Sequence, residues 1–430
     1  MKRRTFVKNS TILAAAASAF PNGAHAQKKD SDKVRVALIG CGGRGTGAAA
    51  QALTADDQTE MWAMADIDQG QIDISRETLE KNVPDPKQVN VTPERQFVGL
   101  DGYQQIMNMP DIDVVILTTP PGFRPFQFEA AVEAGKHVFM EKPVAVDSAG
   151  ARMVLEAAKK AKAKNLKVGV GLNRRHSPLH QEVIGKIHDG VIGELPLIQM
   201  FNCRGDVNKR RLRQPGETEL EFQVRNWYYF TWLSGDFMVE QSVHEFDVVR
   251  WIKHEQFPVS CQGQGGRIAR RGPTNGQVYD HYSVDYQFAD GSLVTTQHRQ
   301  IPKCWSWFGE KMMGTKGYAE LSFKRAGAIR PTEGSPWRGT ETENSYQLEH
   351  DALFNAIRND TEHNEAERGA YSTLFAIMGR MAAYSGQEVT WEEALNSEEA
   401  LAFNPSSWND EAPFSPDENF EYEPFRPGMG

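Results

Sequence analysis

Hydrophobic positions along the chain fall into two regimes. From Lys33 to Leu172, short apolar runs alternate with stretches of helical spacing. Lys33–Gly40, rich in β-branched residues and ending on glycine, predicts a buried parallel strand. Small helix-compatible residues follow at Gly47–Leu53. Glu60–Ala65 predicts a second strand, Gln69–Lys81 a helix, and Val114–Thr119 a third strand stopped by Pro120 and Pro121. Phe126–Ala134 predicts a helix ended by Gly135. His137–Met140, Ala149–Ala163 and Lys167–Leu172 predict strand, amphipathic helix and strand. Helix-length crossovers between short strands mean an α/β domain with a doubly wound, Rossmann-type parallel sheet over 33–172.

The pattern changes after residue 173. Leu197–Asn202, Tyr282–Phe288 and Leu293–His298 read as longer strands, the last two joined through Ala289-Asp290-Gly291 as a hairpin. Glu240–Ile252, Leu348–Arg358 and Tyr371–Tyr384 read as helices. This predicts an α+β domain with a mostly antiparallel sheet over 173–403. From Asn404 the chain is acidic and rich in Pro and aromatics, which fits either a tail packed on the surface or a disordered one.

The first residues predict processing rather than fold. Arg3-Arg4-Thr5-Phe6-Val7-Lys8, a short apolar run and Ala24-His25-Ala26 have the basic head, apolar middle and small-x-small end of a secretory signal over 1–26. The paired arginines before Phe and Lys look like the twin-arginine type, which exports folded proteins to the periplasm. The apolar run is too short for a stable membrane anchor. Removing this segment takes away Lys2, Arg3, Arg4 and Lys8 and no acid. The remainder is then more acidic than the whole, whose formal net charge is -9. With no basic patch, nucleic acid is not an expected partner. The four cysteines, at 41, 203, 261 and 304, show neither metal-ligand spacing nor a disulfide framework. The scattered histidines predict no metal site.

Chemistry enters at Gly40-Cys41-Gly42-Gly43-Arg44-Gly45, a G-x-G-x-x-G pattern after a strand and before a helix. Such glycines let backbone N–H groups approach a pyrophosphate at the positive helix end. Asp66 ends the second strand about 20 residues later, where an acid accepts the ribose hydroxyls. That favours NAD over NADP, although the Arg44 guanidinium could pair with a 2′-phosphate.

Three further motifs carry a family resemblance. They are Thr118-Thr119-Pro120-Pro121, the run Ala134-Gly135-Lys136-His137-Val138-Phe139-Met140-Glu141-Lys142-Pro143, and Glu240-Gln241-Ser242-Val243-His244-Glu245-Phe246-Asp247. With the glycine loop they resemble the Gfo/Idh/MocA (glucose–fructose oxidoreductase / inositol dehydrogenase) family from about residue 33 to about residue 400, in particular its exported members with twin-arginine signals. The resemblance implies that Thr118, Thr119, Pro120, Glu141 and Lys142 border the cofactor. It implies that Lys142 lies beside nicotinamide and the reacting hydroxyl, where an ammonium can stabilise alkoxide character. It further implies a catalytic element of Glu240 and His244, with Asp247 behind them on the substrate side. On a helix, residues i and i+4 share a face, and histidine titrates near neutrality, as a general base must. Many family dehydrogenases have Asp where this chain has Glu240, which puts that residue's role, and simple dehydrogenation, in question.

Arg174 and Arg175 fit a cofactor or substrate contact, or an interdomain ion pair. Trp227 and Tyr228, with Trp232 nearby, suit a sugar's C–H face, or simply the core. Cys304, Trp305 and Trp307 could line the same cleft. The expected function is NAD(P)-dependent oxidation or reduction of a secondary hydroxyl or keto group of a sugar, polyol or glycoside. One alternative is a glycosidase or lyase using tightly held NAD and transient C3 oxidation. Another is a non-catalytic sugar-binding relative. A homo-oligomer, dimer or tetramer, is implied by the resemblance alone.

Overall fold

In the computed structural model, the described residues are 33–207, 209–322 and 326–428. The predicted export signal over 1–26 lies outside them. The first half runs β1 (Val34–Ile39), α1 (Gly43–Ala55), β2 (Thr59–Asp66), α2 (Gln69–Asn82), β3 (Gln96–Val98), α3 (Gly102–Met107), β4 (Val114–Leu117), α4 (Arg124–Glu133), β5 (His137–Met140), α5 (Ser148–Ala163) and β6 (Val168–Val170). Its six strands are all parallel, in the order β3-β2-β1-β4-β5-β6. The direction of winding reverses between β1 and β4, so a crevice opens beyond their carboxyl ends, the place where ligands collect in such sheets. The predicted elements are present. The short edge strand β3 and the single-turn-scale helix α3 were not foreseen, because neither is long enough to show a period.

The second half runs α6 (Pro178–His188), β7 (Leu197–Arg204), α7 (Glu219–Arg225), α8 (Thr231–Ser234), α9 (Phe237–Ile252), β8 (Ser260–Gly266), β9 (His281–Gln287), β10 (Leu293–Gln300), β11 (Trp307–Gly314), β12 (Gly317–Ser322), β13 (Ala326–Pro331), β14 (Trp337–Thr340), α10 (Ser345–Asn359), α11 (Ala366–Ser385), β15 (Val389–Thr390) and α12 (Trp391–Asn396). Nine strands form one sheet in the order β14-β13-β12-β11-β7-β10-β9-β8-β15. Only β7 and β10 run parallel, and every other pairing is antiparallel. Along β9 and β10 burial alternates, so one face is covered and the other open. The covering layer is α6, α9 and α11.

Two departures from the sequence reading matter for the site. Helix α9 starts at Phe237, not Glu240, because Gly235 turns left-handed and the Asp236 carboxylate caps the Phe237 N–H. Helix α10 leaves the second sheet and puts Leu353 and Phe354 into the core beneath α1. The predicted boundary at 172/173 is therefore crossed by packing. The tail packs rather than strays: Tyr422 is buried in a cluster with Trp232, Phe403 and Phe414. All four cysteines are free thiols. No helix among the described residues is long and apolar enough to cross a membrane.

Candidate active site

The turn after β1 is built so that only glycine fits at two points. Gly40 has φ +93°, and a Cβ there would lie 2.8 Å from the Thr118 and Thr119 backbone. At Gly45 a Cβ would lie 2.0 Å from the Gly40 carbonyl oxygen. At Gly42 and Gly43 the same space is open. The first turn of α1 carries neither a side-chain cap nor an acid. With no capping side chain and open space at Gly42 and Gly43, the positive end of the helix is a cradle fit for a pyrophosphate. Thr118 closes the turn by donating its hydroxyl to the Gly40 carbonyl at 2.6 Å.

Asp66 sits where an adenosine ribose would need it. One carboxylate oxygen accepts the Cys41 N–H at 2.6 Å, the other the Asp68 N–H at 3.1 Å. Burial pushes its pKa up, partly offset by those two bonds. Cys41 acts through its backbone, since burial pushes its thiol far up. A cavity of about 400 Å³ is lined by Gly40, Gly42, Asp66, Thr118, Thr119 and Pro120. Acid, cradle and cavity together fit a dinucleotide. Arg44 is not free to read a 2′-phosphate: its Nε pairs with Glu141 at 2.8 Å and its Nη2 donates to Gln51 at 2.6 Å.

A second cavity of about 650 Å³ shares Thr118, Thr119 and Trp227 with the first and holds Glu141, Lys142, Glu240 and His244 on its wall. The Lys142 ammonium donates to the Glu240 carbonyl at 2.7 Å and pairs with its carboxylate at 3.6 Å. Burial alone would raise the Glu240 carboxyl, but Lys142, Lys209 and Arg204 together hold it below the usual range. His244, one helical turn on, is pushed well below an ordinary histidine by burial, then by Lys142 and Arg174. The ring is therefore held neutral in this wall. Its Nδ1 is buried without a hydrogen-bond partner among the described residues.

Arg124 pins the two cofactor-side loops together. It donates to the Pro143 carbonyl at 2.7 Å and to the Thr119 carbonyl. From below, Ser242 ties α9 to the sheet through His298 at 2.7 Å and Asn202 at 3.2 Å.

Several residues singled out in the sequence lie elsewhere. Asp247 points away from the cavity: its carboxylate holds Arg175 at 2.8 Å and accepts the Ser372 hydroxyl. Helical spacing of i+7 kept it near the right face, but the Arg175 guanidinium competes for it. Tyr228 is buried and hydrogen-bonded to Gln300, so it is a core residue. Trp232 is likewise buried, its ring N–H donated to Gln223. Trp305 and Trp307 pack edge-on against Phe201, and Cys304 is exposed. Arg174 does line the cavity, though its guanidinium is held by Glu245 and by Glu310 at 2.9 Å. Trp227 lines both cavities.

The cavity wall also holds His180, Arg204, Lys209 and Phe308, which sequence reasoning missed. His180 could have been found: Ser177-Pro178 opens a helix, which sets His180 on its first turn. Burial and Arg174 lower its pKa to about 3. Arg204 and Lys209 belong to no motif, and only the folded sheet brings them to this wall.

Comparison with known proteins agrees with this geometry. The model of an oxidoreductase family with an NAD-binding Rossmann fold, GFO_IDH_MocA, matches residues 34–170. An inositol 2-dehydrogenase of Rhizobium meliloti (strain 1021) is 29% identical over 191 residues, 44% of this chain and 51% of that one. The chain thus spans about half the length of the first curated relatives it matches. Among solved structures, levoglucosan dehydrogenase in complex with NADH and levoglucosan superposes with TM-score 0.66 at 16% identity, covering 83% of this chain and 99% of that one. Aldose-aldose oxidoreductase from Caulobacter crescentus, complexed with glycerol, gives TM-score 0.64 at 19% identity over 83% and 99%. At such identities the structures establish a shared fold.

Proposed function

We propose that the protein oxidises or reduces a secondary hydroxyl or keto group of a sugar, polyol or glycoside, a reading supported by the match of residues 34–170 to the NAD-binding model of the Gfo/Idh/MocA oxidoreductase family. The observation that carries this is the meeting of Lys142, Glu240 and His244 on a cavity that shares Thr118, Thr119 and Trp227 with the nucleotide cavity. NAD, when bound, supplies the two-electron hydride acceptor or donor. In the oxidation direction, neutral His244 takes the hydroxyl proton through a ring nitrogen. The Lys142 ammonium hydrogen-bonds the substrate oxygen as negative charge grows there. Glu240 holds Lys142 in place and is itself kept ionised, so it can accept a neighbouring sugar hydroxyl.

A second reading, the glycosidase or lyase with retained NAD, is favoured by one feature. The nucleotide cavity is walled by Arg211, Leu212, Glu217, Asn404 and Pro405 as well as by the Rossmann domain. A cofactor under such a wall leaves slowly. The two readings separate in one experiment on protein lacking residues 1–26. The purified protein is denatured to identify released nucleotide, then assayed with sugars and aryl glycosides. Dehydrogenation gives net NADH absorbance with added NAD. The redox-neutral reaction releases aglycone with none added. Neither signal with any sugar would refute both.

The head of the chain, Arg3-Arg4 with Phe6 and Lys8, supports export to the periplasm after cleavage at Ala26. The open face of the second sheet is the surface assigned to self-association. Fractionation and light scattering test these two points.

A further inference from the structure

We infer that the substrate carries an anionic group, a carboxylate, phosphate or sulfate on the sugar, which Arg204 and Lys209 hold in the second cavity. The inference rests on the sugar-binding reading above and narrows its substrate class. It starts from charge pairing on the cavity wall. Arg44 is paired with Glu141, Lys142 with Glu240, and Arg174 with Glu245 and Glu310. Arg204 and Lys209 also line this wall, and no carboxylate among the described residues lies within ion-pair reach of either.

The acids that could have served them are engaged elsewhere. Asp206, between them in sequence, turns to Arg210 at 2.5 Å and Arg270 at 3.5 Å. Glu240 feels the charge of both cations, but its direct contacts are Lys142 and Gln241. Glu341 accepts the Ser177 hydroxyl.

Arg204 is the stronger observation. Its Nε and Nη2 are shut off from water and have no hydrogen-bond partner among the described residues. A guanidinium has five donors in a planar fork that matches an oxyanion, and leaving buried donors unpaired is costly. The Lys209 ammonium stands 4.9 Å from the centre of the Trp227 ring. It therefore hangs above the one aromatic face that both cavities share. A sugar ring on Trp227 would place a charged substituent between the two cations. Both belong to the second sheet and the loop after it, not to the glycine turn, so they are not the pyrophosphate's partners.

The test uses the NAD-loaded protein and four matched ligands: a neutral hexose, its uronate, its 6-phosphate and its 6-sulfate. Binding is read by calorimetry at low and at 0.5 M salt, alongside NADH formation. At least one anionic form is expected to bind ten times or more tighter than the neutral hexose, with the gap shrinking in high salt. Arg204→Gln and Lys209→Gln should each cut that preference, read as the ratio of anionic to neutral binding, about tenfold, since both cations also help keep Glu240 ionised and neutral-hexose binding alone would not isolate them. Arg204→Lys should restore part of it, which separates lost charge from lost folding. The arm that wins names the anion. The inference is overturned if the neutral sugar binds as well as all three anions, or if the variants weaken neutral and anionic ligands alike. Salt-sensitive anion binding without NADH formation would uphold it and remove dehydrogenation instead.

Discussion

Under the proposed function Lys142 has two tasks. It faces the reacting oxygen, and it keeps Glu240 charged in a buried wall. Replacing it with Met keeps the length of the chain and removes the charge. Proton-handling groups of this kind contribute about 100- to 10,000-fold, so kcat for Lys142→Met should fall within that range. Glu240→Gln should fall less, since the Lys142 contact to the Glu240 carbonyl survives. Equal kcat in wild type and Lys142→Met would remove the lysine from the chemistry. His244 gives a pH signature. Its lowered pKa keeps the ring neutral to lower pH than an ordinary histidine, and Glu240 stays ionised over the same range. For oxidation, kcat/KM should show no loss as pH falls through 6.5, the ordinary histidine value. A limb centred there would place His244 in water rather than in this wall.

The element that holds the site together on the cofactor side is the β1–α1 turn. The two kinds of glycine in it should respond differently. Gly45→Ala drives a Cβ to 2.0 Å from the Gly40 carbonyl, and overpacking of this kind costs about 1–3 kcal/mol. Thermal unfolding and NADH titration should both report the damage. Gly43→Ala meets nothing within 4 Å. It should leave the melting temperature nearly unchanged and weaken only NADH binding, because its methyl enters the cradle. If Gly43→Ala bound NADH normally, the pyrophosphate would not lie there. On the substrate side the element is α9. Its start at Asp236, where the carboxylate also accepts the Tyr279 N–H at 2.8 Å and the hydroxyls of Tyr282 and Tyr384, sets the angle at which Glu240 and His244 face the cavity.

Across the whole molecule, one buried carboxylate joins parts far apart in sequence. Glu365 accepts the Val170 N–H at the end of β6 at 2.9 Å, meets His176 at 3.0 Å and pairs with Arg368 on α11. Burial opposes its charge, but Arg368 and His176 together hold its pKa far below 4.5. A depressed carboxyl stabilises the fold above its unfolded pKa, and the contribution fades as pH drops below that value. Glu365→Gln should therefore cost about 3–5 kcal/mol at pH 7, the usual cost of breaking a buried pair. The gap from wild type should narrow at pH 4, as urea unfolding at the two pH values will read. A gap of equal size at both would mean that the charge plays no part in holding β6 to α11.

Local pattern was enough for the nucleotide half apart from the short β3 and α3. β1, the glycine loop and Asp66 are contiguous or regularly spaced, and a parallel strand buried on both faces announces itself by its apolar run. Helical spacing likewise put Glu240 and His244 on one face. Other features depended on contacts between segments remote in the chain. Asp247 had the right spacing but met Arg175, and Tyr228 met Gln300, so neither reached the cavity. Strands β11 to β14 gave no clean alternation, because their neighbours decide which face is covered. That α10 returns to pack against α1, that the tail lies down on Trp232, and that Arg204 and Lys209 stand on the cavity wall with no described carboxylate in ion-pair contact were settled by tertiary packing alone. Spacing along a chain determines which face of its own element a side chain takes; which charge it meets there depends on the other segments that fold against it.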